Sequence, residues 1–222
     1  MTKAVIFDFD GVLADTRQAA ISAYKEALAE KGYRITSEEV RRFWGGGPFW
    51  TIKRFFESHG ISKSRKEIEA IARRKTILQV KMVGRNRLLP GVKPLLSALK
   101  GHVLMGVATS NRLALAKAFL KHYKIDRFFS AIATAEAGDR PKPFPDQYLK
   151  AARLLGVRPK DCVAVEDMEV GIRAAKRAGM RVIGVAGGLE PEKKLKRAKP
   201  DLFVKSLRER KKILQFLLME SL

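Results

Sequence analysis

One cysteine, Cys162, stands in a chain of 222 residues, so no disulfide can close within it and stability has to come from an apolar core. No apolar run approaches the ~18 residues that cross a bilayer. The short apolar start is interrupted by Asp8 and Asp10, unlike a secretory leader. These absences fit a cytoplasmic protein with no membrane partner. Asparagine and glutamine are scarce, a trait of some proteins from hot environments. Acids are few as well: Lys+Arg 45 against Asp+Glu 23 leaves a net charge of +22. Such a field draws anions without choosing among them. Zinc-ligand spacings, RNA-binding aromatic motifs and long basic tails are missing, which argues against nucleic acid as the partner. Runs such as Lys193, Lys194, Lys196 and Arg197, or Arg208, Arg210, Lys211 and Lys212, read as solvated helix faces. With 46% hydrophobic and 31% charged residues the chain has the make-up of a globular protein.

Short β-branched runs alternate with helical patterns. Strands are expected at 3–8, 103–109, 131–134, 162–165, 181–185 and 202–204. Most are apolar throughout, as in parallel strands covered on both faces. Helices are expected between them, at 113–123, 145–155, 169–178 and 206–219, with Gly156 and Gly179 placed to end the second and third. The fold class this predicts is α/β, a doubly wound, Rossmann-like parallel sheet. The first crossover is too long for one helix and reads as helical throughout, at 17–31, 37–44, 49–58 and 63–83. Residues 15–88 are therefore expected to form an inserted all-helical cap, and 1–14 with 89–222 the α/β core.

Ligands of an open parallel sheet bind beyond the carboxyl ends of its strands. The first strand ends in Asp8-Phe9-Asp10-Gly11. Its period of two points both acids one way, and Gly11 permits a sharp exit. Two carboxylates in one partly buried place repel each other and lose hydration, so a cation and a chemical task are expected there. The second strand ends in Thr109-Ser110-Asn111, ahead of a helix N-terminus where anions are well received. Lys142 lies on the stiff turn Arg140-Pro141-Lys142-Pro143, and the fourth strand runs into Glu166-Asp167. Singly, each has a plain reading as loop acid, helix cap or surface lysine. In order, at the ends of separate strands, they form a set able to hold a phosphate dianion and a divalent metal.

DFDGVLADT, VATSN, RPKPFPD and VEDMEVGIRAAKRAGM resemble, in order, the four motifs of the haloacid dehalogenase-like hydrolase superfamily, in its phosphatase and phosphoglucomutase branch with a helical cap. The resemblance implies an aspartyl-phosphate on Asp8, with Asp10 as general acid and then base. It implies Mg²⁺ held by Asp8, the main-chain carbonyl of Asp10, and Asp167, with Glu166 as an indirect contact. Thr109 and Lys142 would grip the phosphoryl oxygens, with Ser110 and Asn111 completing that turn. Charge agrees with such a set. A phosphate monoester of about −2 with ionised Asp8 and Asp167 makes about −4, and Mg²⁺ with Lys142 returns about +3.

Asp10 favours phosphoryl chemistry over dehalogenation, which needs no protonated leaving group. The function expected is a Mg²⁺-dependent phosphatase of small phosphorylated metabolites, phosphoglycolate or sugar phosphates, acting as a monomer. A phosphomutase satisfies the same motifs, and a basic polyanion-binding module is the non-enzymatic alternative. Gly45, Gly46 and Gly47, flanked by Trp44 and by Phe49 and Trp50, read equally as a specificity loop of the cap or as a turn in its core. Asp15 and Thr16 are expected to cap the first inserted helix and act as hinge.

Overall fold

The computed structural model describes residues 2–135, 139–186 and 190–218. In chain order the elements are β1 (Ala4–Phe7), β2 (Ala14–Asp15), α1 (Arg17–Ala29), α2 (Ser37–Arg42), α3 (Gly47–Ser58), α4 (Arg65–Lys81), β3 (Arg87–Leu88), α5 (Val92–Leu99) and β4 (Leu104–Thr109). They continue with α6 (Leu113–His122), β5 (Ala131–Thr134), α7 (Asp146–Leu155), β6 (Cys162–Glu166), α8 (Glu169–Arg177), β7 (Arg181–Val185), α9 (Glu192–Arg197), β8 (Leu202–Val204) and α10 (Arg210–Leu218). Six strands form one sheet in the order β5-β4-β1-β6-β7-β8, and every pairing in it is parallel. The order reverses at β1, so the crevice for ligands lies at the carboxyl ends of β1, β4 and β6.

Alternation along β1 divides the core into two layers. Val5 and Phe7 join one apolar cluster, with Phe9 following in the same phase, and Ala4 and Ile6 join the other. The second layer is rich in alanine, among them Ala108, Ala133, Ala151, Ala164 and Ala174. Small side chains there let α7 and α8 lie close to the sheet. Gly156 (φ 68°) and Gly179 (φ 80°) end α7 and α8 in the left-handed conformation expected of them.

Helices α1 to α4 bury a third cluster of their own, including Ile21, Tyr24, Leu28, Phe55, Phe56 and Ile71. Two of them start in capping boxes, Thr36 with Glu39 and Ser64 with Glu67. A two-stranded antiparallel pair that the sequence reading did not anticipate stands at the root of this unit. Ala14 pairs with Leu88 and Asp15 with Arg87, which brings the chain's way in and its way out together.

Two expectations are corrected. Thr16 makes no capping bond to α1, because its hydroxyl donates to Asp10 instead. The last helix starts at Arg210, not Ser206, since Ser206 holds a local turn: its hydroxyl takes the Arg208 N–H and its carbonyl the Glu209 N–H. Met219, its expected end, lies outside the described residues.

Candidate active site

Asp8 follows the last residue of β1 and is 7% exposed. Its N–H still bonds to the Val165 carbonyl of β6, so the sheet fixes its backbone. Lys142 Nζ lies 2.6 Å from Asp8 Oδ1 and 2.5 Å from Glu166 Oε1. The Tyr148 hydroxyl, from α7, donates to the same Glu166 oxygen at 2.6 Å, and its ring centroid is 5.2 Å from the Lys142 ammonium. Glu166 Oε2 accepts the N–H groups of Asp167 and Met168. Glu166 is thus filled by protein donors and serves to anchor Lys142. A side chain at position 171 would collide with it, since a Cβ there would fall 2.0 Å from Glu166 Oε1.

Asp10 points into the same cavity as Asp8. It accepts from the Thr16 hydroxyl on one oxygen and from Asn111 Nδ2, at 2.6 Å, on the other. Thr16 belongs to the root of the helical unit and Asn111 to the turn after β4, so Asp10 is held from both sides of the crevice. Thr109 is buried behind that turn, its hydroxyl oxygen receiving the Asn111 N–H at 3.1 Å. Ser110 lines the cavity and donates to Gln147 Oε1 at 3.3 Å.

Burial dominates the electrostatics. It raises the Asp8 carboxyl to about 8 against the opposing pull of Lys142, with Glu166 and Asp10 adding to the rise. Burial likewise raises Asp10, opposed by its bonds from Thr16 and Asn111, and drives Asp167 well above the carboxylate range. For Lys142, burial favours the neutral amine, but Asp8 and Glu166 together outweigh it and hold the ammonium above its ordinary range. Four acids, Asp8, Asp10, Glu166 and Asp167, face two cations, Lys142 and Lys75, a set short of positive charge.

The residues present fit a small divalent cation. Asp8, Glu166 and Asp167 bring carboxylate oxygens within 4.8 Å of one another, and since protein donors occupy both oxygens of Glu166, Asp8 and Asp167 are the two with capacity for an ion. Asp167 Oδ1 is buried with no hydrogen-bond partner, the state of a carboxylate oxygen arranged for something other than protein. All donors are hard oxygens, which suits Mg²⁺ or Ca²⁺ better than a soft metal.

The glycine loop of the helical unit closes over these groups. Trp44, Gly45 and Gly47 line the cavity. Gly47 has φ 82°, and a Cβ on it would sit 2.3 Å from the Ser110 carbonyl oxygen. A Cβ on Gly46 would instead press Trp50 at 2.8 Å. Of the three, Gly47 makes the tightest approach to the core, while Trp44 and Phe49 pack against the apolar cluster of the helical unit, so the stretch faces the cavity and the unit's own core at once.

Lys75, Gln79 and Tyr148 are residues at the site that the sequence reading did not single out, and Thr16 was expected there only as a helix cap. Lys75 and Gln79 come from α4 and line the cavity. Lys75 occupies a position of the apolar stripe that includes Ile68, Ile71, Ala72 and Leu78, all buried. A lysine in that phase was a legible signal.

Comparison with known proteins agrees with this geometry. Residues 5–185 match the family model described as haloacid dehalogenase-like hydrolase. The fructose-1-phosphate phosphatase YqaB of Escherichia coli (strain K12) is 32% identical over 186 residues, 82% of this chain and 95% of that protein. The beta-phosphoglucomutase of Bacillus subtilis (strain 168) is 32% identical over 192 residues, 84% of each chain. Among solved structures, CbbY from Rhodobacter sphaeroides in complex with phosphate superposes with a TM-score of 0.85 at 31% identity, over 94% of this chain and 96% of that one.

Proposed function

The chain belongs to the haloacid dehalogenase-like hydrolase family, and from that premise we propose that it is a Mg²⁺-dependent phosphatase of small phosphorylated metabolites. The observation that carries this reading is the pair of acids at the end of the central strand, half-buried Asp10 and buried Asp8, the latter 2.6 Å from a buried lysine. A binding module has no use for that costly arrangement. The relatives named for fructose 1-phosphate and glucose phosphate chemistry, and the neighbour solved with phosphate, support phosphorylated sugars within that substrate class.

In this reading Asp8 attacks phosphorus in line, and the phosphoryl group passes to its carboxylate as the bond to the leaving oxygen breaks. Asp10 gives its proton to that oxygen, so the alcohol leaves neutral. The environment suits the task, since burial raises Asp10 while Thr16 and Asn111 fix its orientation. The deprotonated Asp10 then takes a proton from water as that water attacks the phosphoryl group, releasing phosphate and restoring Asp8. Lys142 holds a phosphoryl oxygen, its ammonium kept in place by Glu166 and Tyr148. The turn of Thr109, Ser110 and Asn111 supplies further donors. Asp8, Asp167 and the Asp10 carbonyl would hold Mg²⁺, which when bound offsets negative charge on the phosphoryl oxygens. The helical unit of residues 15–88 acts as the cap that excludes bulk water.

Hydrolysis of p-nitrophenyl phosphate by wild type and Asp8→Asn, in Mg²⁺ and then in EDTA, tests the reading. Turnover that needs metal and vanishes in the variant supports it. A folded, metal-binding protein with no phosphate release overturns it in favour of a phosphomutase, for which the beta-phosphoglucomutase relative and the close roof at Gly47 speak. Transfer from a sugar bisphosphate to a sugar phosphate without free phosphate would then be seen.

A further inference from the structure

Glu166 stands within reach of two duties, and the structure commits it to one of them. Its carboxylate lies close enough to those of Asp8 and Asp167 to join them around a single ion, and at 1% exposure it has no bulk water to turn to. A carboxylate offers about four acceptor positions, two on each oxygen. On Oε2 they take the N–H groups of Asp167 and Met168, at 3.1 and 3.4 Å. On Oε1 they take Lys142 Nζ and the Tyr148 hydroxyl, at 2.5 and 2.6 Å. Three of these donors have other roles: two N–H groups belong to the turn that carries Asp167, and Lys142 also bonds to Asp8. The Tyr148 hydroxyl bonds to nothing else among the described residues. It reaches Glu166 from α7, a helix that sends no carboxylate to the candidate metal site.

We propose that Tyr148 is a positioning residue that reserves Glu166 for Lys142: by filling the last acceptor position on Oε1 it keeps this carboxylate out of the metal's shell, and so fits the site to a small cation with few protein ligands. This rests on the reading of Asp8 and Asp167 as metal ligands. Without the hydroxyl, Oε1 is a buried acceptor with one position unmet, which is costly, and a cation between the three acids is what can meet it. Ca²⁺ takes about six to eight oxygens and gains from a third carboxylate, whereas Mg²⁺ keeps several waters and gains less. Glu166 drawn to the ion also loosens its hold on Lys142, whose ammonium is then left with Asp8 as its anchor. Asp8 has to be free to attack phosphorus, so loss of the hydroxyl moves metal affinity and turnover in opposite directions.

Calorimetric titration of the metal-free protein with Mg²⁺ and with Ca²⁺, for wild type and Tyr148→Phe, tests this. Phenylalanine keeps the ring whose centroid lies 5.2 Å from the Lys142 ammonium and removes only the hydroxyl. Wild type should bind Mg²⁺ more tightly than Ca²⁺. Tyr148→Phe should bind Ca²⁺ at least ~10-fold more tightly than wild type does, with Mg²⁺ affinity changed by less than ~3-fold, while kcat for p-nitrophenyl phosphate in Mg²⁺ falls ~10-fold. The gain for Ca²⁺ should vanish in the double variant Tyr148→Phe with Glu166→Gln, since the amide brings no charge to the ion. Ca²⁺ affinity that is unchanged or weaker in Tyr148→Phe, or a gain that survives the loss of Glu166, overturns the inference and leaves the metal site standing. If Tyr148→Phe does not fold, the wild-type ratio decides: tighter Mg²⁺ supports the inference and tighter Ca²⁺ overturns it. Wild type that binds neither ion rejects the metal site and the inference together.

Discussion

A Cβ on Gly11 would lie 1.8 Å from Asp167 Oδ2, so the turn after β1 and the acid after β6 are shaped to each other's exact lack of room. Gly11 also has φ 78°. Gly11→Ala should weaken Mg²⁺ binding by more than ~10-fold, by displacing the carboxylate that bears the unpartnered oxygen. Gly32→Ala is the control, since Gly32 has φ 79° with nothing near its Cβ position. It should cost stability through backbone strain, by about 1 kcal/mol, without altering metal affinity. Titration calorimetry with Mg²⁺ on both variants measures the difference.

The buried acids predict a pH dependence of stability with an unusual sign. Asp8 moves from 3.8 to about 8 on folding, so between these values the folded state binds the extra proton. Stability of the metal-free protein should then fall as pH rises across that window, with Asp10 and Asp167 acting in the same sense. Carboxylates held low, such as Glu67 at about 2, change stability only in more acid solution. Mg²⁺ favours the ionised acids, so the Tm it adds should be larger at pH 8 than at pH 5.5. Thermal denaturation in EDTA and in Mg²⁺ at both values checks this, and an equal increment at both would refute it.

Lys75 should carry a stability penalty. Burial lowers its ammonium to about 8, with Asp10 opposing the fall. A base depressed on folding destabilises the protein below its folded value, and the penalty fades as pH climbs towards 10.5. Lys75→Met should therefore raise Tm at pH 7 by roughly 3–8 °C, with a smaller gain at pH 9.5. A Tm that falls at both values would mean that the lysine is held for structure.

The sheet was legible because its strands are covered on both faces and therefore read as continuous apolar runs. Strand ends rather than spacing located Asp8, Thr109 and Glu166, and the turn before α7 located Lys142. The helical unit was legible as helices, but its polar positions were not sorted by face, which is how Lys75 and Gln79 passed unremarked. Thr16 looked like a helix cap because threonine before a helix usually is one. Only the fold brings Asp10 within reach of its hydroxyl. The pair of Ala14–Asp15 with Arg87–Leu88 is two residues long on each side, too short for any alternating pattern to reveal. Tyr148 sits among apolar neighbours on α7, and nothing in its surroundings along the chain marks the hydroxyl as a partner of Glu166.

That short ribbon has a consequence for how such a protein can change over generations. Because Ala14 and Leu88 are bonded neighbours, the chain between them leaves and returns at one spot, like a cassette plugged into a two-pin socket. A replacement of different length or sequence needs only to begin and end there to leave the sheet undisturbed. Asp8, Asp10, Lys142 and Asp167 lie outside the cassette, and Lys75 and Gln79 lie inside it. What a replacement has to keep is the hydroxyl of Thr16, which reaches out of the cassette to Asp10.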